Sequence, residues 1–207
     1  MRRRHFIAAG LAAALAGPAL AAGATVMVVG DSLSAEYGLP RGSGWVSLLE
    51  RKLAAEKIDA RLVNASISGD TTSGGRSRLP ALLAKHRPTH VVIELGGNDA
   101  LRGLPLEMTR ANLSAMVQAA AKAGARVLLV GMQLPPNYGA QYGQRFAELY
   151  AQVAREHQAA LVPFLLDGIA DGPDAVKWFQ ADRIHPNEAA QPRMLANVWP
   201  ELRKLLK

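Results

Sequence analysis

Continuous apolar runs of strand length alternate with amphipathic helical patterns along most of this chain, and that alternation constrains its fold more than any other feature. Unbroken apolar runs are typical of strands that are covered on both faces. They occupy residues 25–29, 60–64, 89–95, 126–132 and 160–164. Between them, apolar residues recur at spacings of three and four over residues 45–57, 76–86, 106–124 and 145–158. A last helix is predicted over residues 188–206, interrupted by Pro192 and Pro200.

This order of elements predicts a single-domain α/β fold of three layers (α/β/α), in which a parallel five-stranded sheet lies between helices. The expected domain, residues 23–207, is long enough to bury a sizeable core. Ligands of such sheets bind beyond the carboxyl ends of the strands. The segments that follow each predicted strand are therefore the places to search for a functional site.

The first 22 residues are predicted to be a signal peptide rather than part of the fold. A basic start, "MRRRHF", precedes the short apolar segment "IAAGLAAALAG" and a possible A-x-A cleavage site at 19–21. We therefore expect a periplasmic or secreted protein. The segment "RRHFI" fits twin-arginine export as well as an arginine-rich Sec signal, and both routes stay open. The chain has no cysteine, which excludes disulfides and a lipoprotein anchor.

The charge pattern argues against nucleic acid as a partner. Three of the 24 Lys and Arg residues lie in the leader, so the formal charge falls from +7 to +4 for residues 23–207. The remaining basic residues alternate with carboxylates instead of forming a stripe with interleaved aromatics. We expect solvated helix faces with mild attraction to anionic substrates or lipid surfaces. No later segment is apolar enough to cross a bilayer, so we expect no stable membrane anchor. We also expect the protein to be a monomer.

The first predicted strand ends abruptly in "MVVGDSLSAE", which presents Ser32 after a glycine-containing turn, near the start of the first predicted helix, where backbone N–H groups are free. A nucleophilic serine needs a base, and His185 lies in a late loop three residues after Asp182. In a D-x-x-H turn the carboxylate can accept Nδ1–H and leave Nε2 free for the serine proton. The alternative is a helix entry, in which Asp182 is the cap and Pro186 begins the helix.

Gly69 and Asn98 follow the second and third predicted strands, and each alone is an ordinary turn residue. Together with the N–H of Ser32, they would supply three hydrogen-bond donors to a tetrahedral oxyanion. Glu94, in an otherwise apolar strand, is predicted to be a structural hydrogen-bond acceptor, and Asp31 to brace the serine turn. No further metal ligand or dinucleotide-binding glycine motif accompanies these residues, so we expect no metal and no cofactor.

The loop after Asn98 carries three leucines, and a tyrosine follows the fourth predicted strand at the same edge of the sheet. These candidate substrate-binding residues are Leu101, Leu104, Leu106 and Tyr138. Leucines beside the oxyanion donors could line a groove for an acyl chain. They could equally pack the loop onto the next helix, and both interpretations stay open.

Four segments, "GDSLS", "NASISGDTT", "ELGGNDALRG" and "DRIHPN", resemble in order and spacing the sequence blocks of the SGNH, or GDSL, hydrolase superfamily. The segments "RLPALL" and "LPPNYG" further resemble its periplasmic multifunctional esterase branch, known as acyl-CoA thioesterase I, lysophospholipase or arylesterase. The resemblance implies a flavodoxin-like sheet. It also implies that Ser32 is the nucleophile, His185 the base and Asp182 the orienting acid, with Ser32, Gly69 and Asn98 forming the oxyanion hole.

The same resemblance implies a serine esterase or thioesterase with a Ser-His-Asp triad. Its substrates would be small acyl esters, thioesters or lysolipids with short-to-medium acyl chains, cleaved through an acyl-serine intermediate. The G-x-S-x-G pattern of α/β-hydrolases is absent, because Ser32 is not followed by the second glycine. Two alternatives stay open: a carbohydrate or peptidoglycan O-acetylesterase that uses the same site, and a non-enzymatic periplasmic module that binds anions.

Overall fold

The computed structural model describes residues 23–207, in which five parallel strands alternate with six α-helices. The strands are β1 (Ala24–Gly30), β2 (Ala60–Asn64), β3 (His90–Glu94), β4 (Arg126–Val130) and β5 (Ala160–Val162). The helices are α1 (Trp45–Ala55), α2 (Thr72–His86), α3 (Gly97–Leu101), α4 (Leu106–Lys122), α5 (Ala140–Glu156) and α6 (Gln191–Leu205). The predicted signal peptide, residues 1–22, lies outside the described residues.

The strand order in the sheet is β2-β1-β3-β4-β5, and every neighbouring pair is parallel. This is the predicted flavodoxin-like order. The chain leaves β1 toward β2 and then returns to place β3 on the other side of β1. The loops after β1 and β3 therefore diverge at a topological switch point, where sheets of this kind bind their ligands.

Side chains of each strand alternate between two faces, and each face has its own core. Met27 and Val29 of β1 point toward α2, α4 and α5 and belong to a core that includes the buried Leu113. Val26 and Val28 point the other way, toward α1 and α6. Both sheet faces are therefore covered, which explains why the strand sequences are continuously apolar.

Two helices begin earlier than their apolar patterns predict. Helix α2 begins at Thr72, four residues before the predicted start, because the Thr71 side chain caps it by accepting the N–H of Gly74 at 3.3 Å. Helix α5 begins at Ala140, five residues before the predicted start. The polar first turns of both helices carry too few apolar residues to show a period in the sequence.

The predicted interruption of the last helix is wrong, because α6 runs continuously over Gln191–Leu205. Pro192 lies in its first turn, where a missing N–H breaks no helical hydrogen bond. Pro200 lies inside the helix on its exposed side. The fully buried Met194, Val198 and Leu202 hold the opposite side on the sheet, and this packing overrides the local preference of the proline.

Candidate active site

The structure brings Ser32, His185 and Asp182 into one chain of hydrogen bonds at the carboxyl edge of the sheet. The Nε2 atom of His185 lies 2.9 Å from Ser32 Oγ, and its Nδ1 atom lies 2.6 Å from Asp182 Oδ2. Each distance is short enough for proton transfer or for orientation of the imidazole ring. The arrangement gives a hydroxyl, a base and an orienting carboxylate in the order that nucleophilic catalysis requires.

Asp182 shapes its own loop as well as orienting the imidazole. Its Oδ1 atom accepts the backbone N–H groups of Ile184 at 2.9 Å and His185 at 3.0 Å. Burial would raise the pKa of Asp182, but these N–H groups and the imidazole outweigh burial and lower the pKa to about 2. The carboxylate is therefore ionised at neutral pH. The helix-entry interpretation is wrong, because Pro186 begins no helix and α6 starts only at Gln191.

The loop that carries His185 is attached to the serine turn by contacts that the sequence did not predict. Gln180 donates its backbone N–H to the carbonyl of His185 at 2.8 Å and its side-chain amide to the carbonyl of Tyr37 at 2.8 Å. The ring of Tyr37 lies against the imidazole of His185, with 4.3 Å between ring centroids. No sequence signal marks these contacts, since Gln180 and Tyr37 are 143 positions apart.

Ser32 does not lie near a helix N-terminus as expected, because residues 32–38 form turns and α1 begins at Trp45, the start that its apolar pattern predicts. The intervening loop is organised by Glu36, whose carboxylate accepts the N–H of Gly44 and the hydroxyl of Ser47, both at 2.8 Å. The N–H of Ser32 nevertheless donates to no acceptor within residues 23–207. A backbone donor therefore remains available beside the serine hydroxyl.

Two further donors come from the segments that follow β2 and β3. Gly69 has a φ of 77°, a left-handed conformation that favours glycine, and its N–H also donates to no acceptor in the described part of the chain. Asn98 lies in the first turn of α3, and its Nδ2 atom donates to Asp31 Oδ2 at 3.0 Å. The second N–H of that amide donates to no acceptor between residues 23 and 207. These donors suit stabilisation of an oxyanion.

Asp31 braces the serine turn, as predicted, through both of its carboxylate oxygens. Its Oδ1 atom accepts the N–H of Leu33 at 3.0 Å, while Oδ2 accepts the amide of Asn98. Burial raises the pKa of Asp31 to about 6, although both hydrogen bonds and the charge of His185 act to lower it. Above that pH the ionised carboxylate accepts from both sides and fixes the Asn98 amide in one orientation.

Glu94 at the end of β3 is a structural acceptor, as predicted. Its Oε2 atom accepts the hydroxyl of Ser34 at 2.7 Å and the N–H of Asp31 at 3.4 Å. Burial, and then the negative charge of Asp31, raise the pKa of Glu94 well above its usual value. Of these two neighbouring carboxyl groups, Glu94 is the more deeply buried, and both have a raised pKa.

A second buried network, centred on Asp99, joins the loops that carry Gly69 and Asn98. The fully buried Asp99 accepts the N–H of Thr72, the first residue of α2, at 2.8 Å and also contacts the Thr72 hydroxyl. Asn112 of α4 donates to that same hydroxyl at 3.1 Å. The network fixes α2, α3 and α4 relative to one another. The sequence shows Asp99 beside Asn98, but nothing in it indicates burial.

The four candidate substrate-binding residues differ in their surroundings. Leu101 and Tyr138 are 39% and 37% exposed, Leu104 is half-buried, and Leu106 packs against the core between α4 and the sheet. The guanidinium of Arg102 donates to the carbonyl of Gly69 at 2.8 Å, which keeps this loop beside the oxyanion donors. These positions favour the packing interpretation for Leu106 and leave Leu101 and Leu104 as candidates for acyl contact.

The part of the chain that the structure describes contains neither a cluster of metal-ligating side chains nor a helix suited to span a membrane. Between residues 23 and 207, no three His, Asp or Glu side chains cluster in a way that could hold a metal ion. None of the helices in that range combines the length and the apolar character that a bilayer-spanning helix needs.

Comparison with known proteins agrees with this geometry. Residues 28–192 match the GDSL-like lipase/acylhydrolase family. The chain is 55% identical over 186 residues to esterase TesA of Pseudomonas aeruginosa, which covers 90% of this chain and 91% of that protein. It is 42% identical over 172 residues to thioesterase 1/protease 1/lysophospholipase L1 of Escherichia coli, covering 83% of this chain and 80% of that one.

Among solved structures, the psychrotrophic esterase EstA of Pseudoalteromonas sp., inhibited by monoethylphosphonate, superposes with a TM-score of 0.81. The two chains are 42% identical, and the match covers 88% of this chain and 98% of that one. The family match over residues 28–192 includes the serine turn after β1 and the loop that carries His185. The resemblance predicted from the four sequence blocks is confirmed: the chain belongs to the GDSL-like lipase/acylhydrolase family.

Proposed function

We propose that this protein is an exported serine hydrolase that cleaves carboxylic esters and thioesters of short-to-medium acyl chains through an acyl-serine intermediate. The observation that carries the proposal is the unbroken chain of hydrogen bonds from Ser32 through His185 to Asp182. Its relatives include an esterase and a thioesterase/lysophospholipase, which supports the same substrate classes.

Acylation begins when Ser32 Oγ attacks the acyl carbonyl carbon and His185 Nε2 removes the hydroxyl proton. The carbonyl oxygen becomes an oxyanion, which accepts hydrogen bonds from the N–H groups of Ser32 and Gly69 and from the Asn98 amide. Asp182 accepts the Nδ1–H of the imidazolium throughout this step and stabilises its positive charge.

The tetrahedral intermediate then collapses, and the bond between the carbonyl carbon and the leaving oxygen or sulfur breaks. His185 gives its proton to that atom, so an alcohol or a thiol departs and the acyl group remains on Ser32. In deacylation, His185 takes a proton from water while the water oxygen attacks the acyl carbon. A second collapse releases the carboxylic acid and returns the proton to Ser32, so the enzyme is unchanged.

Export to the periplasm or beyond is supported by the sequence of the first 22 residues, which has the basic, apolar and small-residue segments of a signal peptide. The acyl-chain range is supported by the position of Leu101 and Leu104 in the loop that Arg102 holds beside Gly69. Each buried methylene of a substrate contributes up to about 0.8 kcal/mol, so medium chains should be accepted as well as acetyl groups.

The proposal is tested by treating purified residues 23–207 with a fluorophosphonate and measuring the intact mass. Ser32 Oγ should displace fluoride from phosphorus and gain one phosphonyl group, which maps to the peptide containing Ser32. Ser32→Ala should stay unlabelled while giving the same far-UV circular dichroism spectrum. A protein that merely binds anions has no activated hydroxyl, so an unlabelled wild type would contradict the proposal. Preference for acetylated xylan or peptidoglycan over p-nitrophenyl esters would favour the O-acetylesterase instead.

A further inference from the structure

The edge of the sheet opposite Ser32 is strongly basic. It is formed where strands begin and helices end, and we call residues 56–61, 85–87, 122–126, 155–157 and 201–207 the basic edge. These residues include ten Lys and Arg against four Asp and Glu, a net charge of +6, whereas residues 23–207 as a whole carry +4. All ten basic side chains are exposed. The rest of the domain therefore carries a small net negative charge, so positive charge is concentrated at one edge of the molecule.

The topology explains why basic residues collect at this edge. The five longer helices run antiparallel to the strands, so all of them end here, and Lys or Arg stabilises the partial negative charge of a helix C-terminus. Each helix end contributes only about −0.5 of a charge, so five ends offset less than half of the +6. The edge keeps a positive potential.

Three of the four carboxylates of the basic edge, those of Glu56, Glu156 and Glu201, form ion pairs. Glu56 contacts both Lys52 at 3.0 Å and Arg203 at 3.4 Å, and Glu201 contacts Lys204 at 2.6 Å. By contrast, Lys85 and Lys122 form no ion pair with a carboxylate anywhere in residues 23–207. Their charges are consequently available to an external anionic partner.

The basic edge also lacks exposed apolar side chains. All the large hydrophobic residues that are exposed within residues 23–207, from Tyr37 to Ile184, lie instead at the carboxyl edge of the sheet, which carries Ser32 and which we call the catalytic edge. Protein interfaces usually have an apolar core of aromatic and aliphatic residues. A charged surface without such a core suits a partner that offers dispersed negative charge and needs no shape complementarity, which describes an anionic lipid surface.

We propose that the basic edge adsorbs this protein reversibly onto anionic lipid bilayers, with the catalytic edge turned toward the water. Adsorption rests on charge alone, without insertion of side chains into the acyl region. In this orientation Ser32 is presented to substrates that arrive from solution rather than to lipids of the same bilayer. The adsorbed enzyme would therefore act on soluble esters, thioesters or dispersed lysolipids.

Cosedimentation with vesicles tests adsorption. Purified residues 23–207 should pellet at low ionic strength with vesicles of equal parts phosphatidylglycerol and phosphatidylcholine, and stay in solution with phosphatidylcholine alone. Salt should release the protein, because surface charges are screened within about 10 Å at 0.1 M. Equal binding to both kinds of vesicle would overturn the proposal, as would tighter binding to double-stranded DNA than to the anionic vesicles.

A pair of matched variants tests the location of the binding surface. The triple variant Lys85→Glu, Lys122→Glu and Lys207→Glu reverses three charges of the basic edge. Each lysine contributes about fivefold to partitioning near an anionic surface, so the triple variant should bind at least about 100-fold more weakly. The control reverses Arg41, Arg145 and Lys177, exposed residues on the catalytic side, by substitution with Glu. An equal loss in the control would show that only net charge matters and would overturn the proposal.

The orientation is tested by hydrolysis of soluble p-nitrophenyl acetate with and without a saturating amount of anionic vesicles. This experiment rests on the proposed function, but its results distinguish a wrong orientation from a wrong function. Absence of hydrolysis in vesicle-free buffer would count against the proposed function, whereas loss of hydrolysis only on adsorption would show that the catalytic edge faces the lipid. We expect kcat/KM to stay within about twofold on adsorption, since this edge lies away from Ser32.

Discussion

The side-chain amide of Asn98 donates a hydrogen bond to Asp31 Oδ2 at 3.0 Å, which ties the helix after β3 to the turn after β1. The sheet order makes this contact possible, because β1 and β3 are neighbours although 67 positions separate Asp31 from Asn98. One amide hydrogen is thereby committed to Asp31, and the other remains for a ligand. The contact gives the Asp of the GDSL segment a second task beside bracing its turn, because it also orients the Asn98 amide.

Replacing Asn98 by Ala should lower kcat by about 10²- to 10³-fold and leave KM nearly unchanged. The physical reason is that its free N–H would stabilise negative charge that exists only in the tetrahedral state. Steady-state kinetics with a p-nitrophenyl ester measure both constants. A variant whose whole loss lies in KM would show that Asn98 binds the substrate in its ground state instead.

Replacing Asp31 by Asn should lower kcat by about tenfold, less than the loss of Asn98 itself. A neutral amide offers one acceptor oxygen, so it cannot accept from both Leu33 and Asn98, and the Asn98 amide loses its fixed orientation. The double variant with Asn98→Ala should be no slower than Asn98→Ala alone, since Asp31 acts through that amide. Additive losses would assign Asp31 a separate role.

Glu94→Gln should stabilise the fold increasingly as the pH rises. The pKa of Glu94 is raised in the folded protein above its usual 4.5, so the unfolded chain loses this proton first. Wild-type stability therefore falls as the pH rises from 4.5 until the folded-state pKa is passed, and the Gln variant lacks this loss. Urea unfolding at pH 5 and pH 8 measures the difference. If the difference in unfolding free energy between the two proteins is the same at both pH values, a raised pKa of Glu94 would be contradicted.

Tyr37→Leu should lower kcat by about two- to fivefold, while Tyr37→Phe should keep it. The aromatic ring lies 4.3 Å from the imidazole of His185, where its face can stabilise the imidazolium that forms during acylation. Either aromatic residue preserves that contact, whereas leucine fills similar space without it. If the Phe variant is as slow as the Leu variant, the hydroxyl rather than the ring matters.

Acyl-chain preference separates the leucines of the loop after Asn98. We expect kcat/KM to rise from acetyl to at least hexanoyl or octanoyl p-nitrophenyl esters, and Leu104→Ala to flatten that rise. Leu106→Ala is the matched control, because Leu106 packs against the core and should lower Tm without changing the chain-length profile. A steep preference for acetyl esters that neither substitution changes would reject the acyl groove.

The sequence predicted the sheet well because both faces of every strand are covered. Strand β2 has the predicted bounds, 60–64, and the other strands differ by a few residues at their ends. Helix ends were less predictable. The cap at Thr71 is local but precedes a polar first turn without an apolar period, and the continuation of α6 through Pro200 depends on contacts with the sheet. Local residue preferences contain no information about those contacts.

The parts of the candidate site that lie close together in the sequence could be predicted, and the contacts between distant segments could not. The turn from Asp182 to His185 is held by hydrogen bonds between its own residues. The D-x-x-H spacing in the sequence was therefore enough to predict it. The contacts of Gln180 with Tyr37 and of Asp99 with Thr72 join distant segments through polar groups. Polar residues have no periodicity that reveals their partners, so only the folded structure shows these contacts.

The central claim is that Ser32 and His185 act as one unit, and kcat for Ser32→Ala, His185→Ala and the double variant tests it most directly. Each single substitution should reduce kcat for a p-nitrophenyl ester by on the order of 10³-fold or more, and the double variant should lose little beyond that. The reason is that neither the hydroxyl nor the base can accelerate acyl transfer alone. Full activity in a mass-verified Ser32→Ala preparation, or losses that multiply in the double variant, would contradict the mechanism.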